Sequence, residues 1–532
     1  MPMTDGRMQS YALTLDKFLE HAAKWHPKVQ VVTGREDGTT DRIGYADLKE
    51  RSLRISAVLE GLGVRLGDRV ATLAWNTHAH VEVWYAIVGM GAVCHTLNPR
   101  LVGTQLAAMV VQSEARILIV CADLLPLAQA IAERVTTIER ILVIDAPRVV
   151  DPSSVAKGIV SALEPLIAGV RGAVRWGDFT ETAPSGLCFT SGTTGAPKGV
   201  TYTHRSSFLH TLRLLQTDVM AISSADSVLA VVPMFHANAW GLPFAVPAAG
   251  AKLVLPGRHT DGANLARLIA SEAVTIAVGV PTVWLGLVEH IELTGGELPS
   301  LSRIIMGGAP LAPALMDRIE CRLGVTVQTS WGMTELSPSG TVSPRNDPSR
   351  SATVSGRPAV GVDLLITDAE GRPLPRQRDV EGHLRVRGAA VIERYFGDEV
   401  DATDADGWFP TGDLARIDKD GNLAVVGRSK DLIKSGGEWI NPAEIEALVG
   451  AHPEVSLAAV IGRSDPKWGE RPILLVEMRG KKLISDEALL APLHGQVAPW
   501  WIPDAVFRLE HMPLASTGKI DKMALRSQYG GG

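Results

Sequence analysis

A ten-residue stretch, Thr190-Ser191-Gly192-Thr193-Thr194-Gly195-Ala196-Pro197-Lys198-Gly199, gathers four hydroxyls, three glycines and one lysine. Glycines let backbone N–H groups approach an anion closely, hydroxyls add donors, and a lysine adds positive charge. That is the chemistry of holding a polyphosphate. The spacing is not that of a Walker A loop, in which Ser or Thr follows the lysine, because Lys198 is followed by Gly199. Further along lie a histidine in Pro233-Met234-Phe235-His236-Ala237-Asn238, a glutamate in Ser330-Trp331-Gly332-Met333-Thr334-Glu335 and an aspartate in Thr411-Gly412-Asp413. A lysine follows in Pro513-Leu514-Ala515-Ser516-Thr517-Gly518-Lys519-Ile520-Asp521-Lys522. Singly, each is ordinary: a histidine after an apolar run is usually a satisfied core residue, and Gly-Lys or Gly-Asp pairs are usually turns.

Together they are not ordinary. The 190–199 loop resembles the signature loop of the adenylate-forming superfamily, which groups acyl-CoA synthetases, non-ribosomal adenylation domains and luciferases, and the other motifs follow in that family's order. The resemblance implies that Thr190, Ser191, Gly192, Thr193, Thr194, Gly195 and Lys198 hold the ATP phosphates. It implies that Gly307-Gly308-Ala309-Pro310 lies along adenine and that an aromatic ring in the 330–335 segment stacks on it. Trp331 stands where the family's tyrosine is expected, and its larger face can still stack. By the same resemblance Thr334 contacts phosphate, and Glu335 holds Mg²⁺, an ion for which one carboxylate suffices because it keeps waters and phosphate oxygens. Asp413 accepts from both ribose hydroxyls, which suits a group with two acceptor oxygens. Arg428, in Gly427-Arg428-Ser429-Lys430-Asp431, reaches the ribose or phosphate, and Lys430 falls at the hinge between two domains. Lys434-Ser435-Gly436-Gly437-Glu438 resembles the loop beside the CoA tunnel, and His236, Asn238 and Trp240 fall in the segment beside the acid pocket. Lys519 matches the catalytic lysine.

The implied reaction has two halves. A carboxylate attacks the α-phosphorus of ATP, giving an acyl-adenylate and pyrophosphate; a thiol, CoA, then displaces AMP. No covalent nucleophile is required, so the absence of a Gly-x-Ser-x-Gly elbow is in keeping. Positioning and charge stabilisation suffice. The stretches WNTHAHVEVWYA (75–86) and HTLNPRL (95–101) are most similar to medium-chain acyl-CoA and methylthiopropionate-type ligases, and the resemblance extends to aryl (hydroxycinnamate)-CoA ligases, which use the same scaffold. The expected acid is therefore a medium-chain fatty acid or a substituted or aryl acid such as ferulate. The 235–240 segment carries no acidic residue to pair an ammonium group, so an α-amino acid is not expected. Two alternatives stay open: a stand-alone enzyme loading a separate carrier protein, and a catalytically silent nucleotide-binding regulator. No carrier domain is expected after Gly532, and Lys519 and Glu335 together are not needed by a sensor.

The elements that must position these residues alternate. Helical periodicity covers 45–62, 80–91 and 124–134, and short apolar strands are expected at 69–75, 116–120 and 140–144. Such alternation suggests helices covering a largely parallel sheet. The 151–175 segment has no clear period. From 356 to 428, short β-rich runs (362–366, 383–386, 422–426) are broken by Glu370-Gly371, Asp406-Gly407 and Asp420-Gly421 turns. The expected fold is therefore α/β: a large N-terminal region of α/β subdomains with a small β-barrel-like subdomain (1–428), then a smaller mobile α+β lid (431–532).

With 532 residues the chain exceeds a single hydrophobic core. Its net charge of −6 offers no basic footprint for nucleic acid or a membrane surface. The apolar run 276–288 is too short to span a bilayer and is interrupted by Pro281. The N-terminus lacks the pattern of a secretory signal. Cys94, Cys121, Cys188 and Cys321 show no metal spacing and are expected as reduced, mostly buried thiols in the cytoplasm. The partners expected are a small carboxylic acid, ATP and CoA, and the resemblance leaves room for a homodimer.

Overall fold

The computed structural model describes residues 5–145, 159–172, 174–190, 197–436, 438–480, 484–515 and 519–531. Four sheets organise them. In the seven-stranded sheet the order is Val160–Ala162, Arg140–Ile144, Ile117–Cys121, Arg69–Leu73, Val93–Thr96, Pro184–Phe189 and Gly199–Thr203, all parallel except the last. The nine-stranded sheet has a parallel centre made of Lys252–Leu255, Ser227–Ala230, Ile276–Gly279, Arg303–Met306 and Thr326–Gly332, with antiparallel strands at its edges. Strands such as Ile117–Cys121 and Ile276–Gly279 are buried throughout, as parallel strands covered on both faces must be.

The expected helices at 45–62 and 80–91 form as Tyr45–Gly61 and His78–Gly89, and the 140–144 strand forms as Arg140–Ile144. Thr77 caps the second helix by accepting from the His80 backbone N–H. The 124–134 segment opens with a 3₁₀ turn, Ala122–Leu124, before the helix Leu125–Ala132. The 276–288 run divides where its proline stands, into the strand Ile276–Gly279 and the helix Pro281–Thr294. Within 151–175, the described part holds a short strand, Val160–Ala162, and a helix, Leu163–Gly169.

The β-rich segment forms a four-stranded antiparallel sheet, Val362–Thr367, Glu381–Gly388, Phe409–Ile417 and Leu423–Arg428, open rather than closed on itself. The remaining sheet has five strands and carries the C-terminal residues: Glu438–Ile440, Ile433–Ser435, Gly469–Met478, Val455–Asp465 and Val506–Leu509. Among the described residues, all four cysteines are free thiols, three of them buried and Cys321 exposed. No helix among them is long and apolar enough to cross a membrane.

Candidate active site

In open parallel sheets, ligands bind beyond the carboxyl ends of the strands. Here the candidate residues sit on the segments that leave those ends. Strand Pro184–Phe189 turns back as the antiparallel Gly199–Thr203, so the 190–198 loop is a hairpin loop closed by a hydrogen bond from Thr190 N–H to the Lys198 carbonyl (2.9 Å). Ser191, Gly192, Thr193, Thr194 and Gly195 lie outside the described residues. At the base of the hairpin, Phe396 N–H donates to the Gly199 carbonyl (2.8 Å), and a Cβ at Gly199 would stand 2.9 Å from the Phe396 Cβ. Glycine is required there by close approach. This docking brings in Tyr395, whose ring lies 4.5 Å from the Lys198 Nζ and whose hydroxyl donates to Glu335 Oε1 at 2.9 Å. No local pattern marks Tyr395, because only the folded chain brings it to Glu335.

Strand Thr326–Gly332 delivers Ser330 and Trp331, and a 3₁₀ turn, Thr334–Leu336, follows. The turn is anchored by Tyr202, whose hydroxyl donates to the Thr334 carbonyl (2.8 Å), and by Met333 N–H on the Pro338 carbonyl (3.0 Å). A Cβ at Gly332 would collide with the Pro338 carbonyl oxygen, which explains the glycine. Trp331 Nε1 donates to Asp413 Oδ2 (2.8 Å), while Asp413 Oδ1 faces the Arg428 Nε (2.9 Å). Asp413 and Arg428 are cross-strand partners in the four-stranded sheet. Both oxygens of the buried Asp413 are therefore engaged and oriented, and each retains acceptor capacity.

Strand Arg303–Met306 ends in Gly307-Gly308-Ala309-Pro310, with Pro310 exposed. Ser330 Oγ donates to the Met306 carbonyl (2.9 Å) and occupies the place a Cβ on Gly307 would take. The Trp240 indole lies 3.1 Å from that point, and 3.7 Å from a Cβ on Gly308. Lys519 reaches the same spot from the C-terminal sheet's side of the molecule, its Cε 3.8 Å from the Gly308 position. Burial and the Arg428 charge push the Lys519 ammonium down to about 8, against the pull of Asp413 and Glu335. His236 is held neutral, its pKa lowered to about 4 by burial and by the Lys519 charge.

His236 opens an unusual turn. Ala237, Asn238, Ala239 and Trp240 all have left-handed backbones (φ 43°, 54°, 47° and 53°), and Gly241 continues at 77°. For L-residues other than glycine this costs roughly 1–2 kcal/mol each, so the surrounding structure imposes it. Asn238 lies against Gly186, 3.8 Å from where its Cβ would stand, and Cys188 directs its thiol to the Phe235 carbonyl (3.9 Å). The 235–240 segment is thus clamped to the strand that feeds the hairpin loop.

The structure leaves other candidates apart from this group. Lys434, Ser435 and Glu438 belong to a small hairpin at the edge of the five-stranded sheet, and Gly437 lies outside the described residues. Gly436 (φ 61°) packs under the Trp468 ring, Lys434 lies over the Trp439 ring, and Ser435 Oγ accepts from Arg471 (3.2 Å). Lys430 stands in a turn between the two C-terminal sheets, flanked by Ser429 N–H on the Gly412 carbonyl (3.0 Å) and an Asp431–Arg526 ion pair (2.9 Å).

The family described as AMP-binding enzyme matches residues 18–396, and that described as AMP-binding enzyme C-terminal domain matches 444–519. The chain belongs to the AMP-binding enzyme family. This AMP-binding enzyme is 39% identical to a 3-methylmercaptopropionyl-CoA ligase of Ruegeria lacuscaerulensis, over 98% of each chain. It is 40% identical to a medium-chain-fatty-acid–CoA ligase of Ectopseudomonas oleovorans, over 99% of this chain and 97% of the relative. It also superposes on ATP-bound MatB from Rhodopseudomonas palustris with a TM-score of 0.85, at 27% identity, covering 98% and 99% of the two chains. The membership expected from the 190–199 loop is thereby established.

Proposed function

We propose that this enzyme joins a medium-chain or substituted carboxylic acid to CoA through an acyl-adenylate, with ATP converted to AMP and pyrophosphate. The position of Lys519 carries the proposal: a lysine from the far C-terminal segment meets Gly308, Trp240 and His236 beside the Trp331–Asp413–Arg428 group. In the first half-reaction a carboxylate oxygen bonds to the α-phosphorus and the bond to pyrophosphate breaks. Lys519 neutralises charge on the acid and α-phosphate, Trp331 and Gly308 flank the adenine, Asp413 holds the ribose, and the 190–198 hairpin holds the outer phosphates. Trp240 and the neutral His236 wall the acid from water. In the second half-reaction the CoA thiolate bonds to the acyl carbon and AMP departs; the 431–532 segment turns about Lys430 to exchange Lys519 for the Lys434–Glu438 hairpin. Glu335 suits Mg²⁺: Tyr395 fixes one carboxylate oxygen, and the partly exposed second oxygen has no hydrogen-bond partner among the described residues. Bound there, the ion would supply charge stabilisation for the phosphates.

The names of the relatives favour CoA over a carrier protein as acceptor. The decisive experiment measures pyrophosphate release with ATP and a panel of acids, then thioester formation on adding CoA. Pyrophosphate release that no acid stimulates would overturn the ligase assignment and favour a silent nucleotide sensor.

The depressed Lys519 pKa gives a pH signature. Its active form is the charged one, and a lowered pKa means that this charge is complete below about 8 and lost as pH rises through that value. kcat/KM for ATP in acid-dependent ATP–pyrophosphate exchange, measured without CoA, should fall about tenfold per pH unit above this pKa. Lys519→Arg should move the decline to higher pH. A parent profile flat to well above pH 9 would remove Lys519 from this role.

Trp240→Ala should redistribute kcat/KM among acids, raising the relative preference for longer or bulkier ones while leaving ATP affinity nearly unchanged. Loss of a buried Trp in a core costs about 3–5 kcal/mol whatever its task, so stability alone is uninformative. A uniform decline across short, medium-chain and aryl acids in a folded variant would place Trp240 outside the pocket.

A further inference from the structure

Helix His204–Leu214 carries a buried cation with little to balance it. Arg213 is 4% exposed, yet among the described residues it makes one hydrogen bond, from Nη2 to the Ser339 carbonyl (2.7 Å), and has no carboxylate partner. Burial alone pushes its pKa down to about 10. The contrast with Arg303 is direct. Arg303 is equally buried and its Nε also lacks a partner, but its terminal nitrogens donate to the Met220 and Ala221 carbonyls and to Gln328, and Asp226 lies nearby. A guanidinium has five N–H donors in a fixed fork, and burying one largely unmatched is costly unless a further acceptor is supplied.

The location indicates which acceptor. From the same helix, His210 Nε2 accepts from Ser339 N–H (3.2 Å), and the His210 ring and Leu214 stand 2.9 and 3.1 Å from where a Cβ on Gly241 would lie. Gly241 directly follows Trp240, whose indole extends to Gly307 and Gly308, where Lys519 also lies. Ser339 is the cross-strand partner of Gly332, beneath the segment that carries Thr334 and Glu335. Trp240 therefore runs from the Gly308 position, which Lys519 also approaches, to the helix that carries Arg213.

Building on the acid–CoA ligase assignment, we propose that Arg213 recognises the end of the acid remote from the activated carboxylate, and that the preferred substrate carries an accepting oxygen there, most effectively an anionic one. A second carboxylate satisfies the fork bidentately, and a phenolic or aliphatic hydroxyl satisfies one donor. A plain alkyl end satisfies none. Arg213 is thus a specificity residue, and the acid spans the length of Trp240.

The test uses the intact enzyme and acids in matched length series from four to ten carbons: unsubstituted, ω-hydroxy and α,ω-dicarboxylic, with cinnamate and 4-hydroxycinnamate as an aryl pair. kcat/KM is read by acid-dependent pyrophosphate release. At the best length, an oxygen-tipped acid should exceed its unsubstituted match by about 10–10²-fold, the range of a charge-assisted hydrogen bond. Arg213→Met should erase or invert that ratio through a loss confined to oxygen-tipped acids, and Arg213→Lys should keep part of it for dicarboxylic acids. The dicarboxylic and hydroxy arms separate an anionic from a neutral acceptor. A proportionate loss for every acid in Arg213→Met would mean that Arg213 only fixes Ser339, overturning the proposal. If that variant does not fold, the parent decides: unsubstituted acids equal to or better than oxygen-tipped ones at all lengths overturn the Arg213 assignment while leaving the ligase assignment standing. Activation of no acid at all would overturn both.

Discussion

Lys519→Ala should abolish adenylation while sparing thioester formation from preformed acyl-adenylate. The loss expected in the first half-reaction is about 10²–10³-fold, typical for removing a preorganised charge aimed at developing negative charge. The local geometry explains why the loss should be selective. Lys519 lies along Gly308, with Arg428 raising the cost of its charge and Asp413 and Glu335 lowering it. In the proposed reaction an ammonium so placed would face the acid and α-phosphate together, and it would have less negative charge to stabilise once pyrophosphate has left. Each half-reaction is measured separately, by ATP–pyrophosphate exchange and by CoA addition to purified adenylate. Comparable losses in both would contradict the two-state scheme.

Lys430→Pro should produce the opposite pattern. Proline holds φ near about −65°, and Lys430 is the link between the strand Leu423–Arg428, which carries Arg428, and the five-stranded sheet whose edge hairpin is Lys434–Glu438. On both sides the chain is fixed, by Ser429 on Gly412 and by Asp431 on Arg526, so rotation has few residues in which to occur. Adenylation, which uses the arrangement described here, should stay within a few-fold of the parent. Thioester formation should fall about 10²-fold or more, the order of loss when reacting groups are held out of line. Single-turnover kinetics on each step decide the matter; acyl-CoA made at the parent rate would place the hinge elsewhere.

Much of the site is visible in the sequence because its chemistry is concentrated in short contiguous stretches. Small residues, hydroxyls and a lysine in succession have few other uses, whereas glycine at 307 and 332 is enforced by Ser330 and Pro338, which lie outside the respective motifs. Helices and parallel strands were legible from their periods, with boundaries shifted by a residue or two, as at Tyr45–Gly61. What escaped notice depends on groups far apart in the chain. The Tyr395 hydroxyl on Glu335 spans 60 residues, the Trp331–Asp413 bond 82, and the Arg213–Ser339 bond 126. No local pattern encodes such pairs; they exist only once separate sheets are packed. The β-barrel-like subdomain expected over 356–428 forms instead as an open four-stranded sheet, since turn signals mark strands but not closure.

The left-handed run from Ala237 to Gly241 bears on how this protein could acquire new substrates. Side chains branched at Cβ are strongly disfavoured in such a backbone, and most others are disfavoured, so this turn, proposed to wall the acid, accepts little beyond Ala, Asn, Asp and Gly without distortion. Trp240 is tolerated there because packing against Gly307 and Gly308 compensates for its conformation. Divergence of specificity is consequently expected on the regular element packed against the turn, helix His204–Leu214, where any residue type fits the backbone. A mutational library spread evenly around the pocket would therefore return its functional variants from that helix and seldom from the turn.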